Sequence, residues 1–370
     1  METTTAVPFL KPTSVIMQPT TLCNMDCRYC YLPDRAKSPR MLPVVAQAVA
    51  RAVAGWADRG PVDICWHGGE PLAAGRDHLR TLVDTFAGLN VTHTVQTNAT
   101  LIDSAWCDFF ESRQMRVGVS IDGPAPVNRN RTFLNGRESF DHAVRGIRLL
   151  VERGFSVSVI AVVPDPNPER AQALYEFIVD LGVAWLGVNI EEREGVNSRR
   201  TAPQARQVAE FWAALIAAWR ADPRVELREA QRVLGFARHL LTGGTPSVPS
   251  GIDLLPTVAW NGEVTLISPE LAGFRDDRLG NFACGSLLHT ELDELIEAGV
   301  GARWVQEFVT GVQRCRAACR YFQFCGGAHP ANRFFEHGRL DGGETDYCRN
   351  TKIALMEGVL LAAQRHRVPG

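Results

Sequence analysis

The chain has 370 residues, 45% of them hydrophobic, and a formal charge of −2 at pH 7, which is enough apolar material for a sizeable core and two or more domains and excludes a disordered chain. With 39 basic and 41 acidic residues there is no electrostatic footprint for broad nucleic-acid binding. No stretch approaches the roughly 20 uninterrupted apolar residues of a membrane span.

The opening Met1-Glu2-Thr3-Thr4-Thr5 lacks a signal peptide's basic and apolar regions, so the expected location is the cytoplasm. In an unsecreted chain, ten cysteines read as metal ligands and free thiols rather than disulfides.

In chain order, short β-branched runs at 14–18, 62–66, 92–96, 116–121, 156–162 and 185–190 alternate with helical patterns at 43–56, 78–86, 104–111, 140–153, 170–181 and 204–219. Six successive βα units imply a parallel sheet, because parallel strands need crossover helices. Pattern alone does not separate an open doubly wound sheet from a partial barrel. Either way, ligands sit at the carboxyl ends of the strands.

After residue 222 this rhythm stops. A connecting helix is expected over 224–242, the breaker-rich segment 243–251 marks a boundary, and Ala259-Trp260-Asn261-Gly262-Glu263-Val264-Thr265-Leu266 reads as a hairpin with an Asn-Gly turn. The expected division is 1–222, a linker at 223–250, and a second domain at 251–370.

Behind the first strand stand Cys23, Cys27 and Cys30, spaced C-x3-C-x2-C, with Tyr29 before the last. Three thiolates can hold three irons of a cubane 4Fe–4S cluster and leave the fourth open to an outside ligand. A zinc site or ordinary buried thiols are the alternatives. About forty residues on, behind the second strand, come Gly68-Gly69-Glu70-Pro71, whose glycines let backbone approach a ligand and whose Glu70 or nearby carbonyls can accept from an ammonium group.

At other strand ends stand Asn98, Ser120 and Asp122, which are equally suited to caps and turns. The sixth strand is followed by Glu191, Glu192 and Glu194, candidates for binding substrate or taking a proton, with a solvated loop as the alternative. In the second domain, Cys315, Cys319, Cys325 and Cys348 match the ligand count of a fully ligated 4Fe–4S cluster and equally of a zinc site. Cys65 and Cys107 fall in strand and helix patterns as core thiols, and Cys284 reads as structural.

The cysteine triplet and the GGEP stretch at this spacing resemble the radical S-adenosylmethionine (SAM) enzymes. The resemblance implies a partial (β/α)6 barrel, with SAM chelated to the open iron of a 4Fe–4S cluster on Cys23, Cys27 and Cys30. It assigns Tyr29, Gly68, Gly69, Glu70, Pro71, Asn98, Ser120 and Asp122 to the cofactor site. Where relatives continue with a His-Asp pair and an Arg reaching the SAM carboxylate, this chain has Asn128-Arg129-Asn130-Arg131-Thr132, with Arg131 offset by one residue.

The carboxy-terminal cysteines resemble the SPASM extension, an α+β domain whose complete form has seven cysteines and two auxiliary clusters. Here the hairpin has no cysteine and His329 stands where a later one would be, so the resemblance implies one auxiliary 4Fe–4S cluster on Cys315, Cys319, Cys325 and Cys348. More narrowly, residues 13–35, Ser268-Pro269-Glu270-Leu271-Ala272-Gly273, and Tyr321-Phe322 followed by Cys325-Gly326-Gly327, Asn332 and Tyr347-Cys348-Arg349 are similar to the cyclophane-forming peptide maturases.

That subgroup implies cleavage of SAM to a 5′-deoxyadenosyl radical, abstraction of a β-hydrogen from a precursor peptide, and bonding of that carbon to a nearby aromatic ring. The surplus electron would pass to the auxiliary cluster, and a flavodoxin- or ferredoxin-type donor would supply the reducing electron. Epimerisation, thioether formation or oxidation of a peptide or small metabolite is the enzymatic alternative. A noncatalytic iron–sulfur or zinc-bound interaction protein is the alternative from another class. Only about a dozen residues precede the first strand, too few for a winged-helix recognition domain, so a leader would bind the barrel or the SPASM surface, or arrive on a separate protein.

Overall fold

The computed structural model describes residues 7–56, 60–198, 203–243 and 251–367. Six parallel strands, β1 (Ser14–Met17), β2 (Val62–Trp66), β3 (Val91–Thr97), β4 (Arg116–Ser120), β5 (Ser158–Val163) and β6 (Trp185–Ile190), lie side by side in sequence order. The crossovers carry α1 (Pro43–Ala54), α2 (Arg76–Val83), α3 (Ser104–Ser112), α4 (Phe140–Glu152) and α5 (Pro168–Asp180), and α6 (Ala205–Ala221) follows β6. This is the partial (β/α)6 barrel.

Local chemistry starts several of these helices. The side chains of Asp103 and Asn167 accept hydrogen bonds from Trp106 N and Arg170 N at 2.8 and 2.9 Å, and Pro168 fills the first turn where no N–H donor is needed. Along β2 the burial alternates, with Val62, Ile64 and Trp66 inside, as a pleated strand requires. Each such side chain contributes about 1.5–3 kcal/mol by leaving water.

The sheet does not end with β6. A two-residue strand, β7 (Glu226–Leu227), pairs parallel to β6 and leads into α7 (Arg228–Thr242). At the opposite edge β8 (Thr257–Val258) pairs parallel to β1 and antiparallel to β9 (Val264–Thr265). The hairpin is therefore present as expected, but its loop differs from a two-residue Asn-Gly turn. Gly262 N donates to Ala259 O at 2.9 Å, Ala259 N donates to Glu263 O at 2.9 Å, and Gly262 has φ +83°. That is a three-residue loop closing with glycine in the left-handed region. Most of the breaker-rich segment at 243–251 lies outside the described residues.

Beyond the hairpin, β10 (Arg275–Asp276) and β11 (Gly280–Asn281) form a small antiparallel pair, and the rest is helical: α8 (Leu292–Val300), α9 (Arg303–Ala318), α10 (Phe322–Cys325), α11 (Pro330–His337), α12 (Asp346–Cys348) and α13 (Ala354–Arg367). Between α12 and α13, Arg349–Ile353 forms a turn of π-helix. Returning to the barrel, α13 packs on α6, where a Cβ at Gly358 would lie 2.6 Å from Ala209 O. Trp212 Nε1 donates to Asn350 O at 2.8 Å. Among the described residues no helix is long and apolar enough to cross a membrane.

Candidate active site

A cavity of about 380 Å³ opens at the carboxyl ends of the barrel strands. Its wall includes Cys23, Cys27, Cys30 and Tyr29 from the loop after β1, Gly69 and Glu70 after β2, Asn98 and Ser120 at the ends of β3 and β4, and Arg131. Glu191, Glu192 and Glu194, after β6, face the same space. Gly68, Pro71 and Asp122 stand behind that wall.

The cysteine loop is held by backbone. Asp26 N and Arg28 N donate to Thr132 O and Asn130 O at 2.8 and 3.0 Å, Cys23 N donates to Arg35 O at 3.0 Å, and Arg35 pairs with Asp26 at 2.9 Å. Burial pushes the Cys23 thiol up to about 12, with the nearby Glu70 charge adding to it, and also raises Cys27. Crowded, desolvated thiols of this kind become thiolates when a metal centre compensates their charge. Gln18 Nε2 and Thr21 Oγ1, buried against the same loops, have no hydrogen-bond partner among the described residues.

Both glycines of the GGEP turn are needed. Gly69 has φ +57°, and a Cβ there would lie 2.5 Å from Leu22 O; at Gly68, φ +90°, it would lie 2.8 Å from Gln18 Cγ. The turn is thereby pressed onto the residues that lead into Cys23. Glu70 is buried and its carboxylate already accepts from Leu72 N at 3.1 Å, Thr97 Oγ1 at 2.6 Å and Asn98 N at 2.7 Å. Burial still raises its pKa. Asn98 Nδ2 in turn donates to Asn24 Oδ1 at 2.8 Å, linking the third strand end to the cysteine loop.

Asp122 forms a second link. It accepts from the Tyr29 hydroxyl at 2.6 Å and from Val162 N at 3.1 Å, and Arg131 Nη1 donates to the Tyr29 oxygen at 2.7 Å. Arg131 lies 3.8 Å from Asp122, and both are buried. Burial raises the Asp122 carboxyl while Arg131 opposes it. The offset arginine thus faces the cysteine loop and the end of β4.

The acidic segment after β6 is not a solvated loop at the two positions that matter most. Glu192 accepts from Asn332 Nδ2 at 2.7 Å, and burial pushes it up to about 7. Burial and the neighbouring Glu192 charge hold Glu194 well above the usual carboxylate range. Both carboxyl groups are thereby biased toward the protonated form. His329 lies between Glu194 and Glu270, its ring nitrogens 3.7 and 3.8 Å from their oxygens.

Sequence reasoning missed Glu270, Tyr347 and the cavity role of His329. All three come from the carboxy-terminal region, and nothing local in the sequence marks them as facing the barrel. Two further wall residues, Tyr31 and His67, meet through the Tyr31 hydroxyl and His67 Nε2 at 3.2 Å. Burial keeps His67 neutral by lowering its pKa.

The second thiol group is also assembled. Cys315, Cys319 and Cys348 line a common cavity, and Cys325 shares a hydrogen bond with Cys348 that pulls Cys325 down to about 5 and pushes Cys348 up. Ala328 N also donates to Cys325 Sγ at 3.3 Å. Among the described residues no three His, Cys, Asp or Glu side chains converge on one ion position. Cys284 packs apart from this group, against Gly299 of α8, where a Cβ would lie 2.4 Å from its sulfur. Cys107 is buried, and burial raises Cys65 to about 12.

The chain is similar to known proteins in sequence and in fold. The family description "Radical SAM superfamily" matches residues 17–178. A Synechocystis protein, sll1766, is 30% identical over 90% of this chain and 88% of its own length. The serine-type anaerobic sulfatase-maturating enzyme of Klebsiella aerogenes is 30% identical over 47% of this chain and 46% of its own. Among solved structures, anSMEcpe with bound AdoMet and Cp18Cys peptide superimposes with a TM-score of 0.75 at 20% identity, covering 96% of this chain and 98% of that one. Streptococcus suis SuiB bound to precursor peptide SuiA gives 0.64 at 14% identity, covering 88% and 73%.

The chain belongs to the radical SAM superfamily. It is an enzyme of radical chemistry that uses a 4Fe–4S cluster and SAM.

Proposed function

We propose that this enzyme modifies a ribosomally made precursor peptide, joining the side-chain β-carbon of one residue to the aromatic ring of a near neighbour to close a three-residue cyclophane. The observation that carries this reading is an adjacency. Tyr347 lines the barrel cavity, and the next residue, Cys348, belongs to the second thiol group. An electron released in the cavity thus has a short route to an auxiliary cluster.

Such a route suits an oxidative outcome. Removing one hydrogen atom from the β-carbon, bonding that carbon to a ring carbon and restoring aromaticity releases one further proton and one electron. Inverting a stereocentre releases neither, so epimerisation has no use for the second cluster as acceptor. The Glu192–Glu194 pair, facing the cavity with a shifted proton affinity, is suited to take the ring proton.

When bound, the barrel cluster and SAM supply a carbon-centred radical able to take a hydrogen atom from an unactivated carbon. The chain's own residues do the rest. Cys23, Cys27 and Cys30 hold three irons, and Gly69, Asn98, Ser120 and Arg131 line the place for SAM. Gly68 and Pro71 shape the turn, Tyr29 and Asp122 fix Arg131, and Cys315, Cys319, Cys325 and Cys348 hold the auxiliary cluster. A flavodoxin- or ferredoxin-type carrier supplies the reducing electron, and the reaction is cytoplasmic. The peptides named in the anSMEcpe and SuiB structures support a peptide substrate.

The relatives named as sulfatase-maturating enzymes favour one other reading, oxidation of a single side chain without a crosslink. A carbonyl reagent, used alongside isotope labelling, separates the two. With a candidate precursor deuterated at the β-carbons of individual residues, crosslinking transfers one deuterium to 5′-deoxyadenosine and leaves a product that carbonyl reagents do not label. A carbonyl-reactive product supports single-residue oxidation instead.

A further inference from the structure

Arg333, on α11, is fully buried, with no exposed surface. Its Nη2 donates to Cys315 Sγ at 3.1 Å and to Gly327 O at 2.7 Å, and its Nη1 donates to Leu340 O at 3.1 Å. The guanidinium also lies 5.5 Å from the Phe308 ring centre. Room for it is made on α9 by Gly311, where a Cβ would lie 1.6 Å from Nη1. Burial works against its charge, and the sulfurs of Cys315, Cys348 and Cys325 favour it.

A second buried cation stands four residues after Cys348. Lys352 is 5% exposed and sits in the π turn that follows Cys348. Its ammonium lies 5.3 Å from the Tyr347 ring centre, and its charge acts on Cys325 and Glu192 against the like charges of Arg232 and Arg228. Burying an uncompensated cation costs several kcal/mol. Neutral thiols do not offset two of them, whereas four thiolates on a cluster do.

From this placement we infer that Arg333 and Lys352 are positioning residues that raise the reduction potential of the auxiliary cluster and so make it the acceptor of the electron released in the cavity. The inference rests on the assignment of Cys315, Cys319, Cys325 and Cys348 as ligands made under the proposed function. Reduction adds one negative charge to the cluster, and nearby cations and N–H···S hydrogen bonds favour the more negative state. The coupled peptide radical loses one electron, the oxidised cluster gains it, and the proton passes to the Glu192–Glu194 pair. A one-electron carrier of the ferredoxin or flavodoxin class then reoxidises the cluster.

The test uses the full chain carrying Cys23→Ala, Cys27→Ala and Cys30→Ala, so that only the auxiliary cluster is read, with a redox titration followed by electron paramagnetic resonance. Arg333→Met and Lys352→Met are each expected to shift the oxidised-to-reduced balance at fixed potential about tenfold toward oxidised, which is 59 mV for one electron. Arg333→Lys, which keeps the charge, is expected to recover part of the shift. Oxidised-to-reduced ratios within twofold of the parent at the same potential, in Lys352→Met and in whichever Arg333 variant keeps its cluster, overturn the inference. If the parent triple variant binds no cluster at all, the ligand assignment fails first, a result distinct from an unshifted potential.

Discussion

The Tyr29 hydroxyl donates to Asp122 Oδ2 at 2.6 Å, tying the residue before the third cysteine to the turn behind β4, ninety-three positions away in sequence. The same oxygen accepts from Arg131, so one phenol orients an arginine of the cavity wall. Removing it leaves a buried carboxylate and a buried guanidinium without their shared partner. Tyr29→Phe is therefore expected to weaken SAM binding to the reconstituted enzyme about tenfold, or about 1.4 kcal/mol, measured by equilibrium binding. Unchanged affinity would place the triad outside the cofactor site.

Gly69 governs the other side of the cluster loop. In Gly69→Ala the new methyl meets Leu22 O at a distance no Cβ tolerates and at φ +57°, a strain of order 1–3 kcal/mol. The displaced segment leads into Cys23, so the barrel cluster is expected to be lost while the auxiliary cluster remains. Iron analysis would read about half the wild-type content.

Glu192 carries a pH signature. Its folded pKa, about 7, lies above the ordinary value of 4.5, so the folded state binds the extra proton and stability falls as pH rises from about 4.5 through 7. The penalty reaches on the order of 3 kcal/mol once the group is ionised. Glu192→Gln is expected to raise the melting temperature above pH 7 but not below pH 4.5, followed by thermal denaturation across that range. If the pair also takes the product proton, turnover of the wild type rises as the pH passes through about 7 and the variant loses that rise.

Cys348 separates SAM cleavage from productive chemistry. Cys348→Ala removes one ligand of the auxiliary group and the hydrogen bond to Cys325. The variant is expected to keep forming 5′-deoxyadenosine while crosslinked peptide falls a hundredfold or more, read by parallel chromatography and mass spectrometry.

Much of the barrel was legible because its signals are local. The runs that become β1 to β6, the C-x3-C-x2-C triplet and the GGEP turn each announce themselves within a few residues. The parallel pairing of β8 with β1 was not legible, since two-residue strands carry no periodicity and their partner lies more than two hundred positions away. For the same reason Glu270, His329 and Tyr347 gave no sign that they complete the cavity with Glu192 and Glu194. No sequence motif singles out Arg333; only the packing of α11 against Gly311 makes it a buried donor to Cys315.

The most direct measurement is an anaerobic reaction of the iron- and sulfide-reconstituted enzyme with SAM, dithionite and a candidate precursor peptide, following 5′-deoxyadenosine and peptide mass together. The account predicts that the peptide loses two hydrogens, that fragmentation stops across three residues, and that both signals require Cys23, Cys27 and Cys30. SAM cleaved with peptides modified only by inversion or at a single residue would contradict the crosslinking reading.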